Sequence, residues 1–179
     1  MERIADLRTT LSQSLSRRVV DQIAASVEEY PTDIPRLVQL IDDPDSRVAW
    51  RAAWACERLV DRSGLPLLPY RDTFEQKLFG CRHDGTRRLL LSILYRLPRP
   101  SVFPVRLYNY CIEHMLLPQE KAAAQVLCMK MTFSLGKEEP DLLAELKFYL
   151  ENTTTSFYSP AFLTTRKNTL RRIYSRQKK

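Results

Sequence analysis

Arginine and tryptophan recur on one face of a single predicted helix: Arg47, Arg51, Trp54 and Arg58 stand at i, i+4, i+7 and i+11. At about 100° per residue they fall within about 40° of a common direction, and Trp50 borders them one turn before Trp54. A guanidinium grips phosphate or carboxylate with two parallel hydrogen bonds, and an indole stacks on a base or anchors a protein partner. Arg88, Ser92 and Tyr95 form a similar stripe on a later helix, and Lys121 with Gln125 extends it on a third. The plainer alternative makes the tryptophans core residues and pairs the arginines with nearby acids such as Glu57 and Asp61.

Other reactive residue types are sparse. Cys111 and His114 share a helical face, and Cys81 stands two residues before His83, but neither pair has the second half of a tetrahedral site. Asp42, Asp43 and Asp45 lack the loop spacing that binds calcium, and they read as turn formers and helix N-terminal charges. No Gly-rich phosphate loop, nucleophile elbow or His-Glu-x-x-His is present, and two histidines offer little for acid–base work. No metal, cofactor or catalytic residue is expected. Four scattered cysteines, Cys56, Cys81, Cys111 and Cys128, read as reduced thiols, three of them in apolar helical surroundings.

Composition bounds the setting. The chain has 179 residues, 44% hydrophobic and 27% charged, which is ordinary for one folded domain. Residues 1–15 show no apolar secretory core, and no apolar run approaches the length of a membrane span, so a cytoplasmic location away from membranes is expected. The net charge of +7 is concentrated at one end. No acid follows Glu151, whereas Arg166, Lys167, Arg171, Arg172, Arg176, Lys178 and Lys179 do. Such a block occurs in nucleic-acid binders and also in a solvated last helix with a frayed end, here residues 166–179.

These residues are positioned by helices. Periodicity predicts ten, at about 2–14, 16–29, 34–42, 45–62, 66–79, 84–97, 103–117, 119–135, 139–151 and 159–176. Pro35, Pro66, Pro104, Pro118, Pro140 and Pro160 open such segments, where a missing N–H costs nothing. Gly64, Gly80, Gly85 and Gly136 fall where the pattern breaks and read as left-handed caps and turns. The helices pair into five hairpins whose second members recur roughly every 35–40 residues. Val48, Ala52, Ala55, Cys56 and Leu59 make the core stripe of the fourth helix, facing Leu37, Leu40 and Ile41. Leu67, Phe74 and Leu78 continue the core, followed by Leu90, Ile93, Leu94 and Leu97. Ala122 to Ala124 with Val126, Leu127 and Met131 are expected to repeat it.

Within that pattern, DPDSRVAWRAAWACERL at residues 43–59 resembles the second half of a HEAT repeat. An acidic-Pro-acidic turn is followed by Val48, Arg51 and the paired Ala52 and Ala53. The resemblance implies an all-α, right-handed αα superhelix, a HEAT/ARM-like solenoid of about five hairpins, as a single domain over 1–179. It also implies a scaffold that binds through a concave surface lined by the second helices. The whole chain, with its AAWACERL and LPYRDTFEQKL segments, is also similar to small bacterial helical proteins, some labelled adenylosuccinate lyase. The lyase loop Ser-Ser-x-Met-Pro-x-Lys-x-Asn-Pro is absent.

A non-enzymatic module binding a protein is therefore expected, through Arg47, Trp50, Arg51, Trp54, Arg58, Arg88, Ser92, Tyr95, Lys121 and Gln125. The alternative is nucleic-acid binding, as in the DNA glycosylases that cradle DNA on HEAT-like helices. A lyase role is the remote third reading.

Overall fold

A computed structural model describes residues 4, 6–13, 16–63 and 65–177. Among these residues regular structure is helical only, with ten α-helices and four short 3₁₀ segments. The helices are α1 Leu7–Gln13, α2 Arg17–Glu29, α3 Ile34–Gln39, α4 Ser46–Arg62 and α5 Arg71–Gly80. They continue as α6 Asp84–Arg96, α7 Val105–Leu116, α8 Ala122–Gly136, α9 Pro140–Asn152 and α10 Pro160–Gln177. Chain packing separates two compact units, Met1–Pro98 and Arg99–Lys179.

Local chemistry explains where the helices start. The Ser16 hydroxyl accepts from the Val19 N–H at 3.2 Å and caps α2. Asp45 accepts from the Arg47 N–H at 2.9 Å at the head of α4. The Ser159 hydroxyl accepts from the Phe162 N–H at 3.2 Å as α10 begins. Each bond satisfies an amide that the first helical turn leaves without a partner.

Prolines divide two of the expected helices. Instead of one helix over 66–79, Leu65–Tyr70 is a 3₁₀ segment and α5 starts at Arg71. Pro69 has no N–H and its ring crowds the preceding turn, so the regular helix begins after it. Likewise 34–42 is α3 followed by 3₁₀ at Leu40–Asp42, because Asp43 precedes Pro44 and turns extended (φ −58°, ψ 136°). The expected first helix, 2–14, is seen as Leu7–Gln13, and its remaining ends lie outside the described residues except at 4 and 6, which are non-helical. Residues 178–179, where fraying was expected, lie outside them too.

Gly80, Gly85 and Gly136 do not serve as left-handed caps, since none has positive φ, and Gly64 lies outside the described residues. Gly85 sits in the first turn of α6, where an added Cβ would lie 2.9 Å from Trp50 Nε1. Gly136 ends α8, where a Cβ would lie 3.1 Å from Leu142 Cβ. Both positions are glycine because another element comes too close for a side chain.

In the first unit α4 is central, packing on α1, α2, α3 and α6. Its Val48, Ala52, Ala53, Ala55, Cys56 and Leu59 have no exposed surface. Small side chains there let neighbouring backbones close in, and burial pushes the Cys56 thiol up to about 12. Leu37, Ile41, Leu67, Phe74, Leu78, Leu90, Ile93, Leu94 and Leu97 complete this core, while Leu40 is half-buried. In the second unit α8 packs on α7, α9 and α10. Its buried face is Ala124, Cys128, Met131, Thr132 and Leu135, whereas Ala122, Val126 and Leu127 are half-buried and Ala123 is exposed. The expected stripe was rotated: α8 is apolar nearly all round, so periodicity alone does not select the inner face.

Candidate interaction surface

Side-by-side stacking of second helices builds the surface of the first unit: α2 lies against α4, and α4 against α6. Four ion pairs tie them together. Arg58 Nε donates to Asp21 at 2.6 Å and Arg62 Nε to Glu28 at 2.6 Å, joining α4 to α2. Arg96 pairs with Asp61, and Arg88 stands 3.6 Å from Glu57, joining α6 to α4. In all four the arginine belongs to the later helix and the acid to the earlier one. Arg58 also holds Asp61 at 2.8 Å, so Asp61 bridges two arginines.

The two tryptophans lie on α4, N-terminal to its members of these pairs. Trp50 and Trp54 are half-buried, with ring centroids 5.4 Å apart at 35°. Trp50 fills the space left open by Gly85 at the start of α6. That helix is capped by His83, whose Nδ1 accepts from the Thr86 N–H at 3.2 Å. Two half-buried indoles side by side, on a helix whose flanking Arg47 and Arg58 already have acidic partners, suit a partner's apolar side chains.

The expected site residues separate into distinct environments. Arg47 is exposed and folded onto Asp45, with guanidinium contacts of 3.1 and 2.9 Å; this pairing and the Arg47 amide hold the Asp45 carboxyl down at about 2. Arg51 is buried, and its guanidinium donates to the Leu11 carbonyl at 2.5 Å and the Ser12 carbonyl at 3.1 Å. It closes the end of α1 and is not open to a partner. Arg58 and Arg88 are engaged in the ladder just described. Ser92 is buried, and Tyr95 is exposed at the end of α6. In the second unit Gln125 is buried, donating from Nε2 to the Leu117 carbonyl at 2.8 Å, while Lys121 is exposed at the head of α8. Of the ten, Arg47, Tyr95 and Lys121 are exposed, Trp50, Trp54, Arg58 and Arg88 are half-buried, and Arg51, Ser92 and Gln125 are internal.

Sequence reasoning overlooked the acids Asp21 and Glu28 opposite the arginines. Their signal was present: the pairs Asp21–Arg58, Glu28–Arg62 and Asp61–Arg96 are separated by 37, 34 and 35 residues, close to one repeat. An acid recurring one repeat before an arginine marks a contact between stacked helices.

The sparse metal-type residues are otherwise occupied. Cys111 is buried, and His114 Nδ1 lies 2.8 Å from Glu120 with its ring stacked 3.9 Å from Tyr110. The Cys81 thiol donates to the His83 carbonyl at 3.4 Å, and burial raises its pKa. Among the described residues no group of three or more His, Cys, Asp or Glu side chains could hold a metal ion. Asp43 accepts from the Asp45 N–H at 2.9 Å and from Arg8, and Asp42 pairs with Lys77. No helix among the described residues is long and apolar enough to cross a membrane.

Tandem helical hairpins, with second helices stacked about one repeat apart, are the geometry of an α-solenoid. The family model described as HEAT repeat domain matches residues 7–173. This chain belongs to that family. The match runs through both compact units, well beyond the one segment whose motif resembled a HEAT repeat in the sequence. Searches of curated proteins and of solved structures find no match. The similarity to lyase-labelled bacterial proteins thus gains no support, and the HEAT repeat domain remains as a helical scaffold architecture of the kind that mediates protein interactions.

Proposed function

We propose that this HEAT repeat domain is a non-enzymatic scaffold that binds a protein partner on the surface of its second helices, centred on Trp50 and Trp54. The observation that carries this reading is the half-buried tryptophan pair set among arginines that already have acidic partners. Aromatic rings at the middle of a contact surface, with charge depleted around them, are typical of protein–protein hot spots. The nucleic-acid reading draws less support in this unit, because Arg47, Arg58 and Arg88 each face a carboxylate and a phosphate would have to displace it.

Affinity capture with the wild-type chain and with Trp54→Ala tests this. A protein retained by the wild type and lost with Trp54→Ala is the expected result, with unchanged helical circular dichroism. Mobility shifts with duplex DNA across a salt series provide the opposing result. Binding with a steep log–log slope, flattened by about one unit per contact on Arg47→Ala or Arg58→Ala, would replace the scaffold reading.

A further inference from the structure

The charge pattern of the second helices in the first unit has a direction, and α10 in the second unit carries only part of it. Across α2, α4 and α6, four arginines (Arg58, Arg62, Arg88 and Arg96) reach back to an acid on the preceding second helix. α10 keeps the backward half of this arrangement. Arg176 donates to the Lys137 carbonyl at 2.8 Å and lies 3.4 Å from Glu138, just beyond α8. Its inner face, Phe162, Thr169 and Ile173, is buried, and α10 packs on α8 and α9. The forward half is missing. From residue 152 onward there is no acid to receive an arginine from another helix.

The flank of α10 turned away from α8 is open. A depression of about 620 Å³ runs along it, lined by Leu163, Lys167, Leu170, Arg171 and Tyr174 among others. These positions recur at i, i+4, i+7, i+8 and i+11, spanning roughly three turns or about 17 Å of helix. Leu163 is 37% exposed and Tyr174 is 41% exposed. The Tyr174 hydroxyl donates to Glu151, and the Lys147 ammonium sits 5.0 Å from its ring, which fixes the aromatic at the rim. Lys167 and Arg171 are exposed and form no ion pair among the described residues. The result is an apolar stripe bordered by two cations that form no ion pair among the described residues.

We propose that this flank of α10 docks an acidic amphipathic helix of a protein partner, whose leucine-type side chains enter the depression while its carboxylates meet Lys167 and Arg171. A second copy of the chain fits poorly, because α10 against α10 would set Lys167 and Arg171 against their like, and α2 offers Arg17 and Arg18 beside a single acid, Asp21, that is already paired. The inference rests on the scaffold reading above and names the chemistry of one partner element.

Helical peptides with a fixed leucine stripe and randomised flanking positions, displayed and selected on the full chain, test it. Enrichment of Asp and Glu at the flanking positions is expected, with affinity for the enriched peptide falling about tenfold or more on Lys167→Glu/Arg171→Glu. Lys167→Gln/Arg171→Gln should give a smaller loss, and both variants should keep the wild-type circular dichroism because the two side chains are exposed. No enrichment, enrichment of neutral or basic peptides, or acidic peptides indifferent to these substitutions overturns the proposal. Stronger retention on phosphatidylserine vesicles or single-stranded DNA than on any selected peptide overturns it as well. If a captured partner is lost with Trp54→Ala while the α10 variants change nothing, the scaffold reading stands and this inference alone falls.

Discussion

The two compact units differ in how their arginines dock second helices. In residues 1–98 arginines are spent between helices: Arg58, Arg62, Arg88 and Arg96 each meet a carboxylate of the neighbouring second helix. In residues 99–179 Arg99, Arg166 and Arg172 cap carbonyls or cover a ring, and Arg176 both caps a carbonyl and meets Glu138. Arg99 donates to the Leu135 carbonyl, Arg166 to the Leu150 carbonyl at 2.5 Å, and the Arg172 guanidinium lies 4.1 Å from the Phe133 ring. Both modes dock helices, but the first engages four acids between second helices, whereas in the second Arg176 meets Glu138 just beyond α8. Among the described residues Lys167 and Arg171 meet no acid, so the basic excess of the chain is a surface feature of α10.

Breaking the first unit should cost most at Arg51, the one arginine there that is both buried and bound to two carbonyls. Arg51→Ala is expected to lower stability by about 1–3 kcal/mol in urea unfolding, since the Leu11 and Ser12 carbonyls lose their donor. A smaller effect separates the units by sign. A double-mutant cycle of Asp61→Asn with Arg96→Gln should show a favourable coupling of about 0.2–1 kcal/mol that shrinks as salt rises. Lys167→Gln should instead stabilise α10 by about 0.2–0.5 kcal/mol, because it relieves a like-charge i, i+4 pair with Arg171.

The pH response sharpens the same contrast. Asp45 titrates at about 2, held down by Arg47, and Asp43 and Asp6 are lowered by their own partners, Arg8 and Thr9. A carboxyl depressed in the folded state stabilises fully above its unfolded pKa of about 4, and that contribution disappears as the pH falls toward 2. Tyr108 and Tyr158 are raised by burial, and Tyr174 by its bond to Glu151. A raised phenol favours folding below its unfolded pKa of about 10 and ceases to do so as the pH climbs past it. Hydrogen exchange followed residue by residue should therefore show acid loosening near α4 and alkaline loosening near α7 and α10, with Asp45→Asn flattening the acid limb.

Legibility in the sequence followed the range of the interaction. The helix starts at Ser46, Asp84, Pro140 and Pro160 were readable because caps and prolines act within one turn. The break at Pro69 was equally local, yet it was missed because the apolar spacing of Leu67, Phe74 and Leu78 runs through it unbroken. The core stripe of α4 was correct because its polar face is strongly contrasted. That of α8 was not, because Val126, Leu127 and Met129 put apolar residues on every side. For the candidate site, the Arg–Trp stripe was visible as a helical face, but the fates of Arg51 and Gln125 were not. A side chain's position around a helix does not reveal the carbonyl it will reach from another element.

By itself the sequence determined helices, their caps, a repeat length and the unequal distribution of charge, because each of these depends on residues a few positions apart or on simple counts. Tertiary structure alone decided that Arg58 meets Asp21, that Trp50 rests over Gly85, and that Lys167 and Arg171 meet no acid among the described residues. Those outcomes depend on which helices become neighbours across roughly one repeat of chain, and that choice is made by packing of whole apolar faces rather than by any local preference.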